Sequence, residues 1–395
     1  MGSQKLNIAI FDGSLKTTAF IQRLIIGLSQ RHTITVLGFA ENNPNPIKNI
    51  HYVPLGSATA LGRLLFLSLG FAVRALFQLG KPQQFFRTLG LLFRLNRQAL
   101  QQQNFNIALQ LAKPDILHVQ WPSLLPWCEA ALQQNNVKVV LSQRGYQNNV
   151  RPFVTKENLD YLKQVYPKID AFHSVSKAMS ATGDSIYKAH NKIDKVVYSG
   201  FNIADFTYRT NYSKGDILNI LSIGRPHWVK GYADALQACA LLKSEGIPFT
   251  YTIVGANGNE ELLYRIHATG LQDKVVLTDK IPQQRVYELM QTQDVLLFPS
   301  IAEGLPNVVV EAMLLGLPVI GTRCGGIEEL LDDTTGSIVP TRTPKAMAEA
   351  ISVFYTTPIA TIDTQRALAR KRVEVQHTAT QMIDGMEALY VEVTV

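Results

Sequence analysis

The chain has little cysteine: Cys128, Cys239 and Cys324 are the only three in 395 residues. An odd, dispersed set does not make a disulfide framework and reads as free thiols in a reducing cytoplasm. No Cys/His group has metal-ligand spacing, and Asp332-Asp333 is adjacent rather than alternating, so no metal is expected. No apolar run reaches about 18 residues, the length of a spanning helix. A strand pattern begins almost at once, at Leu6, which leaves no room for a signal peptide. The G-x-G-x-x-G fingerprint is missing, which argues against NAD. Charged residues are only 17% and hydrophobic ones 46%. That balance suits large cores, and the length suits two domains.

A second absence is local. From Asn42 to Pro114 there is no Asp or Glu, but eight Lys and Arg. The asymmetry extends over the halves: 22 Lys and Arg against 9 Asp and Glu in residues 1–200, then 16 against 22 in the rest. The first half is thereby suited to something anionic. Leu61 to Leu79 and Gln83 to Gln102 read as two helices broken at Lys81-Pro82. Arg87 and Arg94 share a face of the second, with Phe85, Leu89 and Leu92 opposite. Two readings stand: a core-packed pair with a solvated basic face, or contact with an anionic bilayer surface through Arg63, Arg74, Arg87, Arg94 and Arg97. No motif supports nucleic acid as a partner.

What is present is concentrated between Asp294 and Leu330. Two glutamates, Glu303 and Glu311, stand eight residues apart, with Gly304, Leu305, Pro306 and Asn307 after the first. The pattern reads strand, loop, short helix, strand. A loop entering a helix offers free N–H groups and the positive end of the dipole to a phosphate. Gly304 allows close approach of a ligand, Asn307 is placed to cap the helix, and Gly316 to end it. Glu311, in the first turn or so, can accept two hydroxyls, as a ribose diol would offer. Glu303 projects from the loop. Val308-Val309-Val310 favours strand by propensity, but the following Glu-Ala-Met-Leu-Leu and the short connection favour helix.

This stretch, E-G-L-P-N-x-x-x-E-A-M-x-x-G-x-P-V-I-x-T-x-x-G-G-x-E-E, resembles the E-x7-E signature of retaining glycosyltransferases of the GT-B fold, the glycosyl transferases group 1 family. The resemblance is specific over most of residues 210–335 and weak before them. It implies an α/β protein of two Rossmann-like, doubly wound domains facing across a cleft. Residues 1–205, joined by a returning C-terminal helix at 372–395, would form the acceptor side. Residues 206–371 would bind the nucleoside diphosphate sugar.

By the same resemblance, Glu303 contacts the donor sugar and Glu311 the ribose. Arg225 and Lys230, in Arg225-Pro-His-Trp-Val-Lys230-Gly231, clamp the diphosphate. Arg225 offers a fork and Lys230 a mobile point charge. A loop ion pair is the plain alternative for these two. Ile281, within Lys280-Ile281-Pro282, lies where backbone bonds to the base form. Gly13 stands at the turn facing the diphosphate. The usual His-x-His becomes His118-Val119-Gln120, and the usual His-Gly becomes Arg144-Gly145. His118 is then either an active-site group or a satisfied core histidine. Gln120 and Arg144 fall on the acceptor side, where Arg144 suits a phosphate or carboxylate or pairs with a structural carboxylate.

The function implied is transfer of a sugar, with retention, to a glycan or lipid-linked acceptor at the cytoplasmic membrane face, in polysaccharide or glycolipid synthesis, with no cofactor. Two rivals remain: a nucleotide-sugar epimerase of similar fold, and a non-catalytic partner subunit that keeps the donor site. Other expected elements include strands at Leu6–Phe11 and Thr33–Phe39 and one C-terminal helical region from Ala367 to Val393.

Overall fold

The computed structural model describes residues 5–39, 46–57, 59–134 and 137–394. The chain divides into two compact units. The first comprises residues 1–175, 180–200 and 379–395, and the second 176–179 and 201–378.

The first unit is built on seven parallel strands: β1 (Asn7–Ser14), β2 (Thr33–Phe39), β3 (Ile50–Pro54), β4 (Ile116–Val119), β5 (Lys138–Gln143), β6 (Ala171–Ser174) and β7 (Ile193–Val196). Their order is β3-β2-β1-β4-β5-β6-β7, so the winding reverses between β1 and β4. β1 is buried on both faces, as an uninterrupted apolar strand should be. Its alternate residues feed two cores. Ala9 and Phe11 pack with Leu37, Phe105 and Leu117. Ile8 and Ile10 pack with Leu24, Leu28, Met386 and Leu389. The strand β3, absent from the sequence expectation, pairs in parallel with β2 from Ile34↔Ile50 to Gly38↔Pro54.

Helix α1 (Ala19–Ser29) follows β1. Between β3 and β4 lie three helices rather than two: α2 (Leu61–Phe77), α3 (Pro82–Phe93) and α4 (Arg97–Ala112). The expected break at Lys81-Pro82 is present, with Pro82 at the first position of α3. The expected helix through Gln102 is interrupted. Leu95 takes a left-handed φ of 50°, and the Asn96 carboxamide oxygen then accepts from Ala99 N at 3.1 Å to start α4.

The second unit has six parallel strands: β8 (Leu218–Ile223), β9 (Phe249–Val254), β10 (Val275–Thr278), β11 (Val295–Phe298), β12 (Val319–Thr322) and β13 (Ser337–Val339). The order β10-β9-β8-β11-β12-β13 reverses between β8 and β11. Its core joins Ile220, Tyr251, Ile253 and Leu297 to Leu236, Cys239 and Ile351 on the covering helices. The expected single C-terminal helix is two, Ile359–Gln376 and Ala379–Thr394. They part at His377-Thr378, where Phe201 N donates to the His377 carbonyl at 2.8 Å. No described helix is long and apolar enough to cross a membrane.

Candidate active site

In open parallel sheets ligands gather at the carboxyl ends of the strands flanking the reversal. In the second unit these are the ends of β8 and β11. The loop after β8 runs Gly224-Arg225 into a short 3-10 turn, Trp228–Lys230, and closes on Gly231 at φ +65°. A Cβ at Gly231 would stand 1.9 Å from the Pro299 carbonyl oxygen, so only glycine lets the two loops meet. Ile301 N donates to Val229 O at 2.6 Å and fastens the loop after β8 to the loop after β11.

That junction places Lys230 against Glu303: the ammonium donates to Glu303 Oε1 in a partly buried ion pair. The Ser300 hydroxyl reaches the same oxygen at 3.3 Å. The loop after β12 holds the Glu303 backbone. Gly325, at φ +54°, would put a Cβ 2.0 Å from the Glu303 carbonyl oxygen. Gly326 N donates to Gly304 O at 2.8 Å. The Gly-Gly pair after β12 is thus a seat for the glutamate loop. Arg225 is exposed and makes no hydrogen bond or ion pair among the described residues. Between the two cations, the His227 imidazole is held below its ordinary pKa, first by burial and then by Arg225 and Lys230.

The helix Asn307–Leu315 follows as expected, despite its three valines. Two details differ from expectation. Pro306, not Asn307, occupies the N-cap, and no side chain caps the helix; proline's fixed φ supplies the entry instead. The Asn307 side-chain oxygen is buried with no partner. Glu311 sits in the second turn, where it is buried and accepts from Gln283 Nε2 at 3.1 Å and Tyr287 O–H at 3.4 Å. Gln283 opens the helix that follows β10, so the half-buried Ile281 lies in the loop leading to Glu311. Gly316 ends the helix at φ +77°. The structure therefore joins Lys230 to Glu303, and Glu311 to the Ile281 loop. Gly304, Leu305 and Pro306 are buried between the two glutamates.

In the first unit the reversal lies between β1 and β4. Gly13 is at the end of β1 with φ +76°, and a Cβ there would come within 3.0 Å of Leu124. Gln120, at the end of β4, is buried and accepts from Arg144 Nη2 at 3.1 Å. Arg144 is also buried, stacks over Phe20 at 4.7 Å, and has an unpartnered Nε. Burial pushes its pKa down to about 10. A cavity beside it is lined by Phe20, His173, Ser199 and Met386. Asp12, which sequence reasoning passes over, completes the group. Burial pushes its carboxyl up to about 6, while the Trp121 indole, donating at 2.7 Å, and nearby Arg144 pull it back. A carboxylate one residue before the candidate Gly13 is the signal that could have found it.

Of the two readings of His118, its contacts are those of a core histidine. It is fully buried, with Nδ1 2.7 Å from Tyr390 O–H and Nε2 2.8 Å from Ser142 Oγ. Ser142 Oγ is 2.8 Å from His173 Nδ1, and His173 Nε2 is 2.9 Å from the Val197 carbonyl. That carbonyl can only accept, which sets every hydrogen in the row. His173 Nε2 donates to it, Ser142 donates to His173, His118 Nε2 donates to Ser142, and Tyr390 donates to His118. Burial holds both imidazoles below their ordinary pKa, as this neutral relay requires. With both ring nitrogens committed, His118 has none for a substrate.

The basic residues expected at a membrane all lie on or beside the hairpin of α2 and α3. Arg74, Arg87, Arg94 and Arg97 are exposed and Arg63 is half-buried. Among the described residues no group of three or more His, Cys, Asp or Glu is disposed to hold a metal ion.

Two parallel Rossmann-like sheets in one chain, with a glutamate loop and a helix N-terminus at the reversal of the second, define the GT-B fold class. Residues 209–372 match the model of the glycosyl transferases group 1 family. The chain is 31% identical over 196 residues to a putative colanic acid biosynthesis glycosyltransferase, WcaL, of Escherichia coli, covering 48% of each. It is 34% identical over 184 residues to the amylovoran biosynthesis glycosyltransferase AmsK of Erwinia amylovora, covering 44% of this chain and 45% of that one. The chain thus spans about half the length of the curated relatives it matches. Solved structures share the fold over nearly the whole chain. Anabaena Alr3699/HepE, solved with UDP and glucose, superposes with a TM-score of 0.72 at 18% identity over 98% of this chain and 100% of that one. The sucrose-phosphate synthase of Thermosynechococcus elongatus gives 0.75 at 18% identity, covering 98% of each.

Proposed function

We propose that the chain is a retaining glycosyltransferase that moves a sugar from a nucleoside diphosphate donor to a glycan or lipid-linked acceptor in polysaccharide or glycolipid synthesis. The observation that carries this reading is the Lys230–Glu303 pair at the end of β11, followed by an uncapped helix N-terminus and the buried Glu311. Each group has a task. Glu311 accepts the ribose hydroxyls, and the Ile281 backbone meets the base. Arg225, Lys230 and the N–H groups near Asn307 take the charge that develops on the leaving diphosphate. Glu303 holds the sugar hydroxyls, with Lys230 beside it to balance its charge.

In the reaction the bond from the anomeric carbon to the phosphate oxygen breaks, and a bond to the acceptor oxygen forms on the same face. The acceptor's proton passes to the departing phosphate oxygen, so no protein base is required. Two cations do the work a metal would otherwise do. Gln120 and Arg144 are the acceptor-recognising groups, and the buried guanidinium suits an acceptor bearing phosphate. The enzyme works at the cytoplasmic face of the membrane, with the basic hairpin against anionic lipid.

The test is incubation with uridine, guanosine and adenosine diphosphate sugars and a membrane lipid extract. Free nucleoside diphosphate should appear only when acceptor is present, and the product's anomeric configuration, read by NMR, should match the donor's. An epimerised donor, or binding without release under every condition, would overturn the reading in favour of an epimerase or a partner subunit.

A further inference from the structure

The hairpin of α2 and α3 carries a feature that charge alone does not explain. Phe66, Phe77, Phe86 and Phe93 are 78%, 79%, 67% and 88% exposed. Soluble surfaces scatter single apolar residues, but here four exposed phenylalanines stand on two helices that pack together. At about 100° per residue, Phe66, Leu69, Gly70, Val73 and Phe77 fall on one face of α2. Leu64, Ser68, Phe71, Ala72 and Ala75 are buried on the other. In α3, Phe86, Gly90 and Phe93 share the outer face while Thr88 is buried. The two helices pack against each other and α4 backs both, so the outer faces belong to one platform.

The cations have a fixed place on it. Arg63 and Arg74, eleven apart, fall about 60–80° from the centre of the α2 apolar face. Arg87 and Arg94, seven apart, fall about 80–100° from that of α3. Each helix thus has an aromatic ridge with an arginine pair along its flank, and the same stretch, residues 42–114, holds no carboxylate. A protein partner would need only the ridge. An anionic bilayer meets both, because the guanidinium groups sit at phosphate level while the rings enter the acyl region.

We infer that the α2–α3 hairpin inserts into an anionic lipid bilayer, with Phe66, Phe77, Phe86 and Phe93 in the acyl region and the four flanking arginines on lipid phosphates. This rests on the membrane-face reading above and adds to it a mode: insertion rather than electrostatic adsorption.

The experiment is co-sedimentation of the full chain with phosphatidylglycerol–phosphatidylcholine vesicles and with phosphatidylcholine vesicles, at low salt and at about 0.15 M, where surface charges are screened beyond about 8 Å. The parent should bind the mixed vesicles and retain much of that binding in salt. Phe66→Ser/Phe77→Ser and Phe86→Ser/Phe93→Ser should each weaken binding at least tenfold at both salts, with melting unchanged. Arg74→Gln/Arg94→Gln should weaken it chiefly at low salt. Phe77→Trp should give an emission that shifts to the blue on vesicle addition and is quenched by brominated acyl chains. Binding abolished by salt, with the Phe variants unaffected, overturns insertion and leaves the membrane-face reading standing. No binding to any vesicle overturns both, as does a dimer that the Phe variants dissociate without any vesicle binding.

Discussion

Arg225 and Lys230 are assigned the same chemical task, yet the structure gives them opposite resting states, and this separates their mutational signatures. Arg225 is exposed and unengaged among the described residues. Its replacement by alanine should change folding stability by no more than about 0.5 kcal/mol. If its guanidinium takes charge from the leaving diphosphate, kcat should fall on the order of 10²–10³-fold, about 2.7–4 kcal/mol, as when a single charge-stabilising donor is removed elsewhere. Lys230 is already paired with Glu303 at a partly buried site. Lys230→Met should therefore lose turnover and also about 1.5–3 kcal/mol of stability, the worth of a hydrogen bond to a charged group. Lys230→Met/Glu303→Gln should recover part of the stability, because contacting residues couple by about 0.5–3 kcal/mol, while recovering no activity. Denaturant titrations and nucleoside diphosphate release measure the two axes independently. An Arg225→Ala enzyme with near-parental kcat and KM would refute the charge assignment. A Lys230→Met protein as stable as the parent would refute the resting ion pair.

Three further outcomes follow from named contacts. Burial raises the Asp12 carboxyl to about 6, so the native state holds that proton more tightly than the unfolded chain. Stability from this group is therefore lost as pH rises from about 4 to about 6, by about 3 kcal/mol. Asp12→Asn should match the parent near pH 4 and exceed it at pH 7 in denaturant titrations; a pH-independent difference would contradict this. Gly231→Ala, with its Cβ 1.9 Å from Pro299 O, should part the two loops that carry Lys230 and Glu303 and weaken nucleotide binding at least tenfold by calorimetry. Tyr390→Phe removes the donor to His118 Nδ1 and should cost about 1–3 kcal/mol of stability while leaving nucleotide affinity unchanged.

The parts of the fold written as continuous apolar runs are legible in the amino-acid sequence. β1, β2 and the strand–helix–strand around Glu311 belong here, because a strand buried on both faces has no polar alternation to confuse it. β3 escapes because Ile50–Pro54 is short, half exposed and polar at His51. The break at Leu95 escapes because apolar periodicity runs through it; only Asn96, a good N-cap, marks the new helix. The signature glutamates stand out as a motif, but their resting partners do not. Glu303 meets Lys230 across 73 positions and Glu311 meets Gln283 across 28. His118 is hard to place because a histidine one residue before a strand end looks alike in a site and in a core. What decides is Tyr390, 272 residues away. The exposed phenylalanines are invisible because apolar periodicity says which face differs, not which face the protein covers.

The helix Ala379–Thr394 has a consequence for how the chain comes into being. It supplies Met382, Ile383, Met386, Leu389, Tyr390 and Val393 to one core of the first unit. The second unit, by contrast, lies wholly upstream of it. On the ribosome, the unit whose synthesis begins first is the one that closes last. Until the helix Ala379–Thr394 has emerged, one face of its sheet and the donor end of the His118 relay, Tyr390, wait for their final layer. The second unit, by contrast, has by then its full set of strands, and its core around Ile220, Tyr251 and Leu297 can close first.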